Sequence, residues 1–277
     1  MSRLWRDRLL VWLAPTEISW LRLSGALKRR VSAKRAGAVD AGYGAQPWQG
    51  AVAGLRAEAQ AWRSEPLAAT IVLSNDFIRY AVVPASQGVS GIEEAHALAR
   101  FHFFKIHGER SRDWDVRLGD PRAAAPQLAC AVDAGLLPAL RDCFPKTARP
   151  RLVSVQPYLM SAFNCGRRRF PGSGAWLLVL ETQRACLALI ADGRWVSVQN
   201  IKGSFDDSQD WIDLLDRERW RVSLEQVPDA VLVHDARRPA TALPPHAAWK
   251  LRANDTAWPS GLMPLEDRCY AALLPAI

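Results

Sequence analysis

Apolar residues in this chain come in short blocks, and their spacing sets the first expectations. Ala175–Leu180 and Ala185–Ile190 are unbroken apolar runs, and Val196–Val198 alternates with Ser197 and Gln199. Runs of this length suit strands buried on both faces. The joints fit a meander: Glu181–Arg184 is polar, and Asp192-Gly193 is a dipeptide favoured in two-residue hairpins because glycine tolerates positive φ. Leu9–Leu13 and Ile18–Leu23, joined by Ala14-Pro15-Thr16-Glu17, repeat the strand–turn–strand pattern. Two related halves are therefore expected.

Between these units the period changes. Val52, Leu55, Ala59 and Trp62 lie at helical spacing, predicting a helix over 48–62 after a polar stretch from Lys28-Arg29-Arg30 through the Gly-rich span 37–50. Thr70–Leu73 and Phe77–Val83 read as a strand pair around Ser74-Asn75-Asp76. Ser90 and Glu93 form a capping-box pattern opening a helix to about His107. On that helix Ile92, Ala95, Ala99, Phe103 and Ile106 share one face, while Ala97, Phe101 and Phe104 share another. A helix apolar on two sides is either sandwiched in a core, the expectation adopted, or offers its second face to a partner. Trp114–Leu118 alternates like an edge strand. Strand, helix, strand and helix follow at 128–132, 134–144, 152–155 and 158–164, which implies crossover connections and a partly parallel sheet. A helix over 205–219 and short strands at 222–224 and 230–233 come next, and from Arg237 to Pro264 prolines leave little regular structure to predict.

Composition narrows the class. The chain has 277 residues, 49% hydrophobic and 23% charged, enough to bury a core without disulfides or metal. No window approaches the roughly 18 apolar residues of a spanning helix, and the apolar N-terminal segment reads as a strand rather than a signal peptide. Five widely spaced cysteines without a C-x-x-C pair read as free thiols of a reducing compartment, not a zinc site. The net charge of +8 comes from thirty arginines and six lysines. It admits nucleic acid or an acidic membrane surface as partner, but an arginine-rich composition alone accounts for it.

Candidate chemistry is sparse. No Walker, G-x-S-x-G or dinucleotide glycine pattern occurs. His96, His102 and His107 lack the i, i+4 spacing of a helical metal pair. Asp206, Asp207, Asp210 and Asp213 are explained by a helix start and an Asp213–Arg217 pair, so no metal is expected. Twelve tryptophans, several beside arginine (Trp5-Arg6, Trp62-Arg63, Arg194-Trp195, Arg219-Trp220), fit core packing with snorkelling arginines, stacked bases or an interface.

The order of these blocks resembles the actin-like ATPase superfamily, and within it the PilM family of type IV pilus assembly and the cytoplasmic part of the type II secretion protein GspL. Three stretches carry the resemblance: Ile71–Pro84 with the following helix and Trp114–Leu118, similar to a small inserted subdomain; Ala131–Asn164, similar to the strand–helix–strand–helix before the second half; and the meander at 175–203. It implies an α/β, actin-like (RNase H-like) fold in two halves, residues 1–145 with an insertion at about 71–119, and 146–277 with the second half shortened. It also implies an Asp-x-Gly in each phosphate-binding hairpin. The matching positions hold Trp12-Leu13-Ala14 and Val179-Leu180-Glu181. With Trp12, Ala14, Val179 and Glu181 at those places, the expectation is a degenerate, non-catalytic member with no cofactor, ATP and magnesium being disfavoured.

By the same resemblance the chain is expected to be a cytoplasmic scaffold, peripheral to the inner membrane, that holds the tail of a membrane-bound pilus or secretion protein in a groove near Phe77, Tyr80, Phe101 and Phe104. Two alternatives stay open: a nucleotide-dependent enzyme using Glu181 with Asp206 or Asp207, and a basic nucleic-acid-binding protein on an RNase H-like core.

Overall fold

The computed structural model describes residues 7–25, 29–40, 46–62, 65–86, 91–119, 125–145, 149–237, 243–254 and 256–277. In chain order the first elements are β1 (Arg8–Leu13), β2 (Glu17–Ser24), β3 (Arg30–Ala38), α1 (Pro47–Ala61), β4 (Ala68–Leu73) and β5 (Arg79–Val83). Next come α2 (Ile92–His107), β6 (Trp114–Leu118), β7 (Gln127–Asp133), α3 (Leu136–Asp142), β8 (Arg151–Pro157) and α4 (Tyr158–Gly166). The last are β9 (Ala175–Glu181), β10 (Arg184–Ala191), β11 (Arg194–Lys202), α5 (Ser208–Arg221), β12 (Ala230–Asp235), β13 (Lys250–Ala253) and a 3-10 segment, Arg268–Ala276.

The strands form three sheets, ordered β3-β2-β1-β4-β8, β11-β10-β9-β12-β13 and β5-β7-β6. The two five-stranded sheets have one topology. Each starts with an antiparallel meander and adds two strands parallel to its first. Alternation along the central strands explains the layering. Leu9, Val11 and Leu13 face α1 and α3, whereas Leu10 and Trp12 face the second half. Trp176, Leu178 and Leu180 face α5, whereas Leu177 and Val179 face the first half. All seven residues of β9 are buried. The shared layer between the sheets is completed by α4 and by Tyr270–Leu274 of the final 3-10 segment.

Local chemistry fixes the ends of several elements. Pro47 opens α1, where its missing N–H costs nothing. Asp207 caps α5 by accepting from the Gln209 amide, and Arg219 and Arg221 lie in the last turn, where the helix dipole favours cations. Asp192 and Gly193 take φ of 50° and 70° in the expected two-residue hairpin. Gly174 sits at φ 103°, and a Cβ there would lie 2.3 Å from the Ile190 carbonyl oxygen, so no other residue fits without backbone movement.

Several expectations are corrected. Residues 70–73 and 77–83 do not pair: β4 joins the first sheet and β5 the third, with a 3-10 turn, Asn75–Phe77, between them. The polar stretch after Lys28 contains an edge strand, β3, whose solvent face is charged. Residues 222–224 are not a strand, and β13 appears in the proline-rich region. β8 lies beyond residue 145 yet pairs with β4 in the first sheet, and the inserted sheet takes its central strand, β7, from beyond 119. α2 is not sandwiched. Ala95, Ala99 and Phe103 pack on the third sheet, while Phe101 is 57% exposed. Ser90, Lys28, Trp5, Arg6 and Arg63 lie outside the described residues. All five cysteines are free; Cys186 is buried and Cys269 exposed.

The C-terminal segment does two things. After β13 completes the second sheet, residues 268–277 return to the first half. Arg8 donates to the carbonyl oxygens of Ala276 (3.0 Å) and Ile277 (3.3 Å), and Arg29 also binds Ile277.

Candidate functional site: the cleft between the two hairpins

The carboxyl ends of β1, β4, β9 and β12 converge on a cleft of about 870 Å³. Its walls are the two hairpin turns, 14–16 and 182–183, with Ser74 and Asp76 from the turn after β4. Arg79, Arg184, Lys202, Arg237 and Arg268 also line it, against Glu17, Asp76 and Glu181. The cleft is therefore electropositive on balance.

The first hairpin is filled by an aromatic side chain. Trp12 is 3% exposed, donates its indole N–H to Glu17 Oε1 (2.8 Å) and packs edge-to-face on Tyr158, ring centroids 4.9 Å apart. Tyr158 in turn meets His234 at 5.4 Å. The Ala14 N–H closes the hairpin on the Glu17 carbonyl (3.0 Å). Val179 is fully buried in the shared core. Neither Trp12 nor Val179 can act on a metal or a water.

Glu181 is the acid that remains, and its carboxylate is engaged. One oxygen accepts the Ser74 hydroxyl (2.5 Å) and the other the Asn75 amide (3.0 Å). Burial pushes its pKa up to about 7, although the Ser74 and Asn75 hydrogen bonds oppose the rise. Around it a polar clasp spans the halves. Asp76 pairs with Arg184 (2.6 Å), and Asn200 donates to the carbonyl oxygens of Asn75 (2.8 Å) and Ile78 (2.9 Å). Asn75 Oδ1 accepts from Tyr80 (2.6 Å) and from the Leu159 amide (3.3 Å), which fixes the start of α4. Asn75 Nδ2, the Tyr158 hydroxyl and His234 Nε2 are buried without a partner among the described residues. His234 donates from Nδ1 to the Asn254 carbonyl oxygen (3.2 Å), and burial lowers its pKa to about 4, so the ring is neutral.

The other acids considered for chemistry serve the fold. Asp207 caps α5, and Asp206 binds Arg237 (2.9 Å), which is also held by Asp235. Among the described residues no cluster of three metal-ligating side chains occurs. His107 instead packs on Trp114 (4.9 Å).

The four groove candidates are not brought together. Phe77 is buried in the first-half core, where it also lines a cavity of about 90 Å³ with Trp48, Arg79 and Trp114. Tyr80 turns its hydroxyl inward to Asn75, and burial raises its pKa. Phe101 and Phe104 stand on the outer face of α2, with Lys105 and Arg112 over their rings at 5.8 and 5.6 Å. Sequence reasoning missed Asn75, Arg184 and Asn200. The available signal was a Ser-Asn-Asp triplet between two apolar blocks too buried for a solvated turn.

No protein-family model and no curated protein matches the chain. Solved structures do. The chain is similar to the cytoplasmic domain of EpsL, an inner membrane component of the type II secretion system of Vibrio cholerae, at 13% identity and a TM-score of 0.59, over 98% of this chain and 94% of that one. It is similar to a PilM–PilN type IV pilus biogenesis complex at 13% identity and a TM-score of 0.56, over 83% and 82%. A Bacteroides thetaiotaomicron protein with an actin-like ATPase fold and unknown function matches at 10% identity and a TM-score of 0.54, over 85% and 84%. At these identities the likeness establishes the fold: two mixed five-stranded sheets of actin-like type with a small antiparallel sheet inserted.

Proposed function

We propose that the chain is a non-catalytic scaffold of a type IV pilus or type II secretion-like inner-membrane assembly, holding the cytoplasmic tail of a membrane partner. One observation carries the non-catalytic reading: the acid at the second hairpin, Glu181, is bound through both oxygens by the protein itself, and Trp12 fills the first hairpin. Its two hairpins do not fit a metal–nucleotide group. The fold likeness to cyto-EpsL and to PilM in its complex with PilN supports the setting. No helix among the described residues is long and apolar enough to cross a membrane.

The outer face of α2 is the docking surface in this reading, with Phe101 and Phe104 as anchors on a helix whose Ala99 and Phe103 pack on the third sheet. Exposed aromatics of this kind concentrate binding energy when a partner covers them. The test is binding of synthetic cytoplasmic-tail peptides, taken from the inner-membrane pilus and secretion proteins of the same genome, to wild type and to the F101D/F104D variant. A tail that binds wild type and is lost in the variant supports the surface. Retained binding removes it.

The enzyme alternative requires an unengaged carboxylate at the cleft. Glu181, Asp206 and Asp207 are each held in other bonds, so this reading is the weaker one.

A further inference from the structure

The end of the molecule opposite the cleft is strongly basic. β1, β4 and β8 run parallel, so their amino ends lie together, away from the cleft. Arg149 and Arg151 stand at that end of β8. α4 starts beside Asn75 and descends nine residues, about 13 Å at 1.5 Å per residue, to deliver Arg167, Arg168 and Arg169. Arg194 stands at the β10–β11 hairpin, beside the amino end of β9 and so away from the cleft. Its neighbour Trp195 packs on Phe163 of α4 at 4.8 Å, and Phe163 packs on Phe170 at 5.3 Å. All six arginines are exposed.

Nothing in the described structure neutralises them. None of the six makes an ion pair, and Arg169 reaches only the Asn254 side-chain oxygen (3.3 Å). The three segments that carry them contain one acid, Asp192. Asp7 and Glu65 are taken by Arg22, and Asp229 by Lys250.

We propose that this face docks on an anionic lipid bilayer. Exposed guanidinium groups bind phosphate oxygens through paired N–H donors, and each basic residue near an anionic surface adds roughly a fivefold factor in affinity. The rings decide between a bilayer and a nucleic acid. Phe163 meets Phe170 edge to face at 63° and Trp195 tilted at 51°, and all three rings pack against the shared core, so they are engaged in the fold and not splayed out as stacking platforms. Base stacking needs an open face. Aromatic edges between cations at headgroup level do not. This inference goes beyond the partner reading and does not depend on it, because no partner enters its test.

The test is co-sedimentation of the full chain with phosphatidylcholine vesicles, with and without about 30% phosphatidylglycerol, at physiological salt. Binding is expected only to the anionic vesicles. The R167Q/R168Q/R169Q variant should bind on the order of a hundredfold more weakly, and R149Q/R151Q should be weakened as well. R110Q/R112Q, two arginines of the inserted subdomain, should match wild type. Urea-unfolding midpoints equal to wild type show that each variant is folded. Absence of anionic-vesicle binding by wild type, equal binding to neutral vesicles, or wild-type binding by the R167Q/R168Q/R169Q variant would overturn the proposal. A short DNA duplex that outcompetes the vesicles through the same arginines would overturn it in favour of nucleic acid.

Discussion

Glu181 at the end of β9 accepts the Ser74 hydroxyl and the Asn75 amide at the end of β4, residues 107 and 106 positions away in sequence and in the other half of the molecule. The bond joins the halves at the point where the cleft opens. Its strength depends on proton binding in a way that can be measured. Folding raises Glu181 from 4.5 to about 7, mainly by burial, so the folded protein holds the extra proton and loses stability as pH rises through that window. His234 acts oppositely. Burial lowers it from 6.5 to about 4, so stability is lost as pH falls through that window.

Between pH 4.5 and 6.5 the two slopes cancel, each amounting to roughly 1.4 kcal/mol per pH unit at most. Urea unfolding across this range should therefore show Glu181→Gln gaining stability with pH relative to wild type, and His234→Gln losing it. Variants that track wild type in parallel would show that neither group changes its pKa on folding.

Asp76 and Arg184 form the second inter-half bond, with side chains 28% and 11% exposed. Removing either leaves the other poorly paired in a partly dry site, so each alanine variant should cost about 2 kcal/mol. The double variant should cost less than the sum. A double-mutant cycle reads this directly, and strict additivity would mean that the pair does not couple the halves.

Gly174→Ala tests the entry to β9. The new methyl would meet the Ile190 carbonyl oxygen and the Ala191 Cα at 2.3 and 2.7 Å, both backbone atoms, at a φ of 103°. A loss of roughly 2–4 kcal/mol in denaturant unfolding is expected. Gly172, where nothing lies within 4 Å, should accept alanine with little change.

F101D/F104D should leave the unfolding midpoint within about 0.5 kcal/mol of wild type, because Phe101 is 57% and Phe104 37% exposed. Phe103→Ala on the same helix is fully buried and should cost about 3–5 kcal/mol. Equal losses would mean that α2 is packed on both faces.

Much of this architecture was legible in the sequence because burial on both faces leaves unbroken apolar runs. β1, β4, β9 and β10 were all visible in this way, and the repeated strand–turn–strand unit, β1–β2 and β9–β10, gave the two halves. β3 was not legible: an edge strand with one solvated face reads Arg-Val-Ser-Ala-Lys-Arg, like a turn. The second sheet's edge, β13, was hidden for the same reason. At the site, Trp12 and Glu181 were found by counting from the hairpins. The clasp was not, because its polar residues are buried by contacts between segments about 100 residues apart, a distance over which local pattern carries no information. The burial of Phe77 and the inward turn of the Tyr80 hydroxyl were not legible either, because the sequence does not say that β4 and β5 join different sheets with a 3-10 turn between them.

In the proposed scaffold the cleft holds itself together and does not use a nucleotide. Calorimetric titration of the folded protein with ATP and ADP, each with and without magnesium, tests it most directly. No binding heat is expected for any of the four, with the Glu181→Gln variant equally silent. Micromolar binding that depends on magnesium and is lost in Glu181→Gln would contradict it.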